Sequence, residues 1–159
     1  MKLKNAFTLI ELLIVISIIS ILAIVVLVGL KPAQRMADAR DARRAQDVNQ
    51  ILTGIMSCAI DKKDNSTLST CLGTHTTGKT YEIVSGAVTT GCNDVCTGIT
   101  ATSDCLALDT TLTDYFLSMP ADPKNTATGH TGYSITTSTN GMVVIEACAA
   151  ENSVVKVSR

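Results

Sequence analysis

The sequence predicts an α+β protein: a long N-terminal α-helix, membrane-spanning in its first half, packed on a small disulfide-rich antiparallel β-sheet head. Three observations predict it. Residues 7–30 form a 24-residue aliphatic run broken only by Thr8, Glu11, Ser17, Ser20 and Gly29. A second helical stretch follows, with one apolar face and one charged face. Beyond it the chain turns polar: 29 of the 99 residues from Asp61 onward are Ser or Thr, and all six cysteines lie after the aliphatic run. The chain of 159 residues is one domain's worth by length. It reads as a short basic start at 1–6, a long helix at 7–60 with the apolar part at 7–30, and a globular head at 61–159.

Composition excludes several function classes. A formal net charge of −1 leaves no strong nucleic-acid signature, which needs a basic field. With 3% aromatics and no Trp there is little material for base-stacking platforms. Two histidines, His75 and His130, cannot build a His-rich metal site.

At about 1.5 Å rise per residue the run at 7–30 spans roughly 36 Å, enough for a bilayer core of about 30 Å. It is too long for the apolar region of a secretory signal peptide, and no small-residue cleavage site follows it. Lys2 and Lys4 ahead of the run favour a cytoplasmic amino terminus, whereas Lys31, Arg35, Arg40, Arg43 and Arg44 beyond it oppose that orientation. Glu11 is the exception inside the run. A carboxylate five residues into an apolar helix costs several kcal/mol unless paired, hydrated or neutral. It either sits at headgroup level and favours the helix amino terminus, or awaits a cation from another chain.

The segment Lys4-Asn5-Ala6-Phe7-Thr8-Leu9-Ile10-Glu11-Leu12-Leu13 closely resembles the cleavage and methylation motif of type IV prepilins and the related pseudopilins. The resemblance covers Lys4 to Val28. It implies that a prepilin peptidase, a membrane aspartyl protease, cuts between Ala6 and Phe7, removes residues 1–6 as a leader and methylates the Phe7 amine. It also implies that Glu11 pairs with the Phe7 amine of a neighbouring subunit during assembly. Two departures stand out: the family usually has Gly where this chain has Ala6, and often Pro where it has Val28. Cleavage is therefore expected to be slower, and any local unwinding displaced toward Pro32. Amine and carboxylate are each costly in hydrocarbon, so pairing between subunits offsets both and enforces register.

Pro32 lacks an N–H and disfavours helix at Lys31, which predicts a kink or break near Gly29 to Pro32. Beyond it Ala45, Val48, Ile51, Leu52, Ile55, Met56 and Ala59 recur at three and four and mark an apolar face. Arg35, Asp38, Arg40, Asp41, Arg43, Arg44 and Asp47 lie opposite, either as a solvated face or as subunit contacts. Asp41–Arg44 and Arg43–Asp47 stand at helical-neighbour spacing.

Cys58, Cys71, Cys92, Cys96, Cys105 and Cys148 read as a disulfide framework, the usual device of a small exported domain with little core. Six cysteines allow 15 pairings, among which the sequence does not choose. Cys58–Cys71, tying the helix end to the loop after it, is one expectation; Cys148 should bridge from a strand to another element. Cys92 and Cys96 have spacing that zinc tolerates, but no second closely spaced pair accompanies them, so no metal and no cofactor is expected.

Within the head, Asp61 to Lys79 reads as a polar loop carrying the sequon Asn65-Ser66-Thr67. Tyr81 to Val88 reads as a strand, Gly91 to Ser103 as a loop held by cysteines, and Leu106 to Leu117 as a helix by its Leu108, Leu112, Tyr115 and Phe116 spacing. Tyr133 to Thr137 and Met142 to Ala147 flank Asn140-Gly141, a hairpin signal. Val154 to Val157 adds an edge strand. Met119 to Pro123 is a rigid turn; some pseudopilins bind calcium in a comparable loop, but Asp122 and Asn125 fall short of the six to eight oxygens calcium takes. No catalytic site stands out, so the protein is not expected to be an enzyme.

The reading is a structural subunit of a type IV pilus that polymerises through its N-terminal helix into a helical homopolymer. It would meet the prepilin peptidase and the pilus assembly machinery, reside as a single-pass protein in the bacterial cytoplasmic membrane, and pass into an extracellular filament. The alternatives are a pseudopilin of a type II secretion or DNA-uptake system and a minor tip pilin with an adhesive head.

Overall fold

The computed structural model describes residues 7–62, 67–94, 96, 98–125 and 127–159. Helix α1, Leu9–Leu30, starts after Thr8, whose extended backbone (φ −82°, ψ 148°) and side chain cap it. It is apolar on every side and has no buried residue. It ends where Lys31 turns left-handed at φ 43°. Pro32 then opens helix α2, Pro32–Lys62. The reason is local: proline suits a first helical turn, where its missing N–H costs nothing, and its ring drives the preceding residue out of the right-handed helical region. The break lies inside the predicted stretch.

The chain divides into two compact units, Met1–Ala37 and Asp38–Arg159. The second contains most of α2, a short helix α3 (Thr67–Leu72) and five strands: β1 (Thr80–Val84), β2 (Cys105–Ala107), β3 (His130–Thr137), β4 (Val143–Ala147) and β5 (Lys156–Ser158). Their order across the sheet is β2-β1-β3-β4-β5. Every pairing is antiparallel except β1 with β2. That parallel edge departs from the antiparallel expectation. The connection from Ser85 to Asp104 is long enough to cross over, which a parallel pair requires.

Strand alternation sorts the residues. Tyr81, Ile135, Ile145 and Val157 share one register row, and Ile83, Tyr133 and Ala147 the next. These face α2, where Val48, Ile51, Leu52 and Ile55 of the predicted stripe complete the core. The other face carries Glu82, Ser134, Glu146 and Lys156 in one row.

Three segments differ from expectation. Residues 106–117 are not helical: Leu106 belongs to β2, and isolated turns follow, with Leu112 N–H donating to Leu108 O at 2.9 Å and Phe116 N–H to Leu112 O at 3.0 Å. The apolar spacing reflects burial of Leu108, Leu112 and Phe116, while Asp109, Thr110, Thr111, Thr113 and Asp114 compete for the backbone and disfavour continuous helix. Within the predicted loop at 61–79 the chain forms α3, which sets Leu72 in the core; the sequon's Asn65 and Ser66 lie outside the described residues. β1 stops at Val84, where the register shifts against β3. The hairpin forms as read: Ser138 N–H donates to Met142 O at 2.8 Å, and Gly141 takes φ 81°.

All six cysteines pair, as Cys58–Cys71, Cys92–Cys105 and Cys96–Cys148. The first joins α2 to α3. The other two clip the loop after β1 to β2 and to Cys148, which lies in the turn just past β4 rather than on a strand as expected.

At Gly54 the Phe116 ring packs directly against α2. A Cβ there would overlap the Phe116 ring. Replacing glycine by alanine inside a helix ordinarily stabilises by about 1 kcal/mol. Here overpacking opposes it by about 1–3 kcal/mol. Gly54→Ala is therefore expected to lower Tm, and a rise in thermal melting would show that Phe116 moves aside freely.

Candidate functional site

Three places bring ionisable groups together. The first is the start of α1. Ala6 lies outside the described residues; Phe7 is 82% exposed. Glu11 N–H donates to Thr8 Oγ1 at 3.3 Å, and Thr8 N–H donates to Glu11 Oε2 at 3.4 Å. This reciprocal capping box satisfies two orphan donors of the first turn and sets a carboxylate at the positive end of the helix dipole. Among the described residues Oε1 takes no hydrogen bond, so the carboxylate keeps acceptor capacity for a cation. The signal was present in the sequence: Thr8-x-x-Glu11 has capping-box spacing, and the alternative in which Glu11 favours the helix amino terminus points the same way. The structure therefore gives Glu11 a role within its own chain, and Phe7 and Glu11 stand together at the exposed end of α1.

The second place lies where α2 meets the head. Arg44 is fully buried. Its Nε donates to Asp122 Oδ2 at 2.6 Å and its Nη2 to Asp122 Oδ1 at 3.0 Å, a bidentate pair. Its Nη1 donates to Asp41 Oδ1 at 2.7 Å and to Glu151 Oε1 at 3.1 Å. Arg40 clamps the same Glu151 at 2.6 and 2.8 Å, and Lys124 Nζ reaches it at 2.9 Å. Asp41 also accepts the backbone N–H of Glu151 and, at 2.8 Å, of Asn152. Asp47 accepts from the Tyr133 hydroxyl at 2.7 Å. The charged face of α2 is thus not wholly solvated: Asp41 and Arg44 are buried against the head, while Arg35, Asp38 and Arg43 are exposed. The spacing that marked Asp41–Arg44 found one ion pair, but Asp122 and Glu151 lie too far along the chain for spacing to reveal them.

These contacts shift ionisation. Arg40 and then Lys124 hold the Glu151 carboxyl far below the usual range. Burial pushes Asp41 upward, but the N–H groups of Asn152 and Glu151, together with Arg44, hold it below its ordinary value. Burial, then the bond to Asp47, drives the Tyr133 phenol well upward. Asp122 is spent on Arg44 and on the Lys124 N–H, and Asn125 Nδ2 donates to His130 O at 2.7 Å. The turn at 119–123 thus uses its polar groups internally.

A third cluster lies on the sheet face away from α2. His130 Nδ1 stands 3.0 Å from Glu82 Oε2, and ligand atoms of Glu82, Cys92 and His130 lie within 4.8 Å of one another. Cys92 is held in a disulfide. Burial raises the Glu82 carboxyl above its ordinary value, against the opposing pull of His130.

Residues 1–27 match the family model of the prokaryotic N-terminal methylation motif, the type IV prepilin signature. Neither a curated protein nor a solved structure gave a match.

Two outcomes are expected of the α2 contacts. Asp122→Ala removes the bidentate partner of a buried guanidinium and leaves its Nε and Nη2 unpaired, which should cost about 3–5 kcal/mol in chemical denaturation; Arg44→Met combined with Asp122→Leu should cost less than the two single changes summed. The pH effect follows from the lowered Glu151 and Asp41. Carboxyls whose folded pKa lies below the unfolded value contribute stability above about pH 4, and lose it as pH falls toward the folded value. Tm should therefore drop between pH 5 and pH 2. Glu151→Gln should lower Tm at pH 7 and flatten that drop; an unchanged slope in the variant would remove Glu151 from the account.

Proposed function

We propose that the chain is a subunit of a type IV pilus, made as a membrane-anchored precursor and polymerised through α1. The motif at 1–27 supports a pilin-like or pseudopilin protein; the pilus subunit is the finer reading. The observation that carries it is the carboxylate of Glu11, at the amino end of a helix with no buried residue and apolar sides all round. Such a helix needs an apolar environment along its whole length. Lipid supplies it before assembly, and the same helices of neighbouring copies supply it in a filament. It is also long and apolar enough to cross a membrane.

On this reading residues 1–6 are a leader cut by the prepilin peptidase, 7–30 the membrane and then filament segment, and 61–159 the extracytoplasmic head. Cleavage after Ala6 frees the Phe7 amine. In a filament, that cation on one subunit meets Glu11 of the next, whose Oε1 is open to receive it. The capping box holds the carboxylate in place beforehand. The partners are further copies of the chain and the assembly machinery, and the head outside the membrane is stabilised by disulfides.

Processing is expected to produce a chain beginning with N-methylated Phe7. Losing Lys2 and Lys4 takes the basic count from 13 to 11 against 14 acids, and net charge from −1 to −3. Mass spectrometry of sheared surface filaments checks this; a mature protein that still begins at Met1 would end the reading. Glu11→Leu should leave cleavage, insertion and head folding largely intact and sharply reduce filament yield per mature subunit, because a buried half-pair costs about 3–5 kcal/mol at every subunit. Glu11→Asp should be intermediate. Filaments at parental yield from Glu11→Leu would restrict Glu11 to capping its own helix.

A further inference from the structure

If α1 spans a membrane, the residues just after it lie at the membrane surface, and the inference below rests on that reading. Helix α1 has 22 residues, which at about 1.5 Å each make roughly 33 Å, matched to a hydrocarbon core of about 30 Å. The break that follows fixes the depth more closely. Pro32 offers no N–H to the carbonyl of Val28, and hydrocarbon supplies no substitute donor. The break at Lys31–Pro32 therefore belongs at headgroup level, where water and polar groups satisfy the freed backbone.

Lys31 and Arg35 stand at that level, four positions apart, which is helical-neighbour spacing. Both are exposed, and neither side chain has a hydrogen bond or ion pair among the described residues. No acidic residue lies in the first turn of α2. The next acid along the chain, Asp38, accepts from Asn152 Nδ2 at 2.7 Å. The amino end of the α2 dipole adds positive potential at the same place. These two cations also act against the orientation that Lys2 and Lys4 favour, so an anion from outside the chain offsets that cost. We infer that Lys31 and Arg35 form a docking site for anionic phospholipid headgroups, with phosphatidylglycerol as the probe. Arg35 grips a phosphodiester with a fork of two N–H donors, and Lys31 meets it as a point charge. A choline headgroup offers the same phosphate but carries its own ammonium, so selection rests on net headgroup charge. The site holds a waiting subunit at a fixed depth, and a subunit drawn from the bilayer has to leave those phosphates.

The test uses the full chain in micelles doped with equal amounts of phosphatidylglycerol and phosphatidylcholine, with retained lipid counted by native mass spectrometry. Two basic residues at a charged surface predict a preference for phosphatidylglycerol of about tenfold or more, falling as salt rises. Lys31→Gln combined with Arg35→Gln should bring the two lipids near parity. Lys31→Arg combined with Arg35→Lys should keep the preference, because the charge is retained. Lys62→Gln, at an exposed lysine in the last turn of α2, should leave it unchanged. A separate arm measures carbonate-resistant insertion into vesicles of phosphatidylcholine alone. Failure to insert overturns the membrane reading and this inference with it; insertion without lipid preference overturns the inference alone. A preference that survives the double Gln variant, or that Lys62→Gln removes equally, overturns the assignment to Lys31 and Arg35. Displacement of the lipid by inorganic phosphate, but not by chloride at equal ionic strength, would make this a site for free phosphate. A lipid-independent dimer lost in the double Gln variant would make it a contact between copies. Either result overturns the lipid assignment.

Discussion

Burying a guanidinium costs several kcal/mol before any partner is found, and Arg44 is buried completely. The packing of α2 on the sheet depends on meeting that cost at one position. The apolar stripe supplies the driving force, at about 1.5–3 kcal/mol for each fully covered aliphatic side chain. A stripe is a poor locator, however. A helix displaced by one turn along the sheet keeps much of its apolar contact but carries Arg44 away from Asp122 and Glu151. The ion cluster penalises wrong registers far more than it rewards the right one, and the bidentate geometry of Arg44 on Asp122 makes the penalty directional.

The two faces of the sheet are covered by different means. Toward α2 the cover is aliphatic and follows from helical periodicity. On the other face Glu82 sits under a loop with few apolar residues, and two disulfides hold that loop down. A head with one Phe, three Tyr and no Trp has little with which to build a second apolar layer. Covalent ties that restrict the unfolded chain substitute for it, at typically 2–4 kcal/mol each.

Local patterns in the sequence made some of this legible and left the rest hidden. The break at Lys31–Pro32, the stripe from Val48 to Ile55 and the hairpin at Asn140-Gly141 are set by backbone sterics and periodicity, which act over a few residues. The non-helical course of 106–117 was not legible, because buried leucines at helical spacing also suit a chain of turns pinned at Leu108 and Leu112. Nor was the parallel β1–β2 edge, whose partners are separated by the cysteine loop. At the candidate sites Glu11 stood out as a charge in an apolar run. The burial of Arg44 did not, since an arginine among six other charged residues looks like surface until Asp122 and Glu151 are brought to it.

Arg40 and Glu151 are 111 positions apart, and that interval determines when the head can close. Synthesis proceeds from the amino terminus, so α2 exists with its stripe bare long before β3, β4 and the turn at Glu151 have been made. Two of the three disulfides, by contrast, span only 13 residues and can close within the segment already made. The nascent head therefore passes through a stage with local ties complete and its longest helix uncovered. During that interval an apolar, half-finished surface is open to its neighbours, and crowding or delay there favours aggregation over folding.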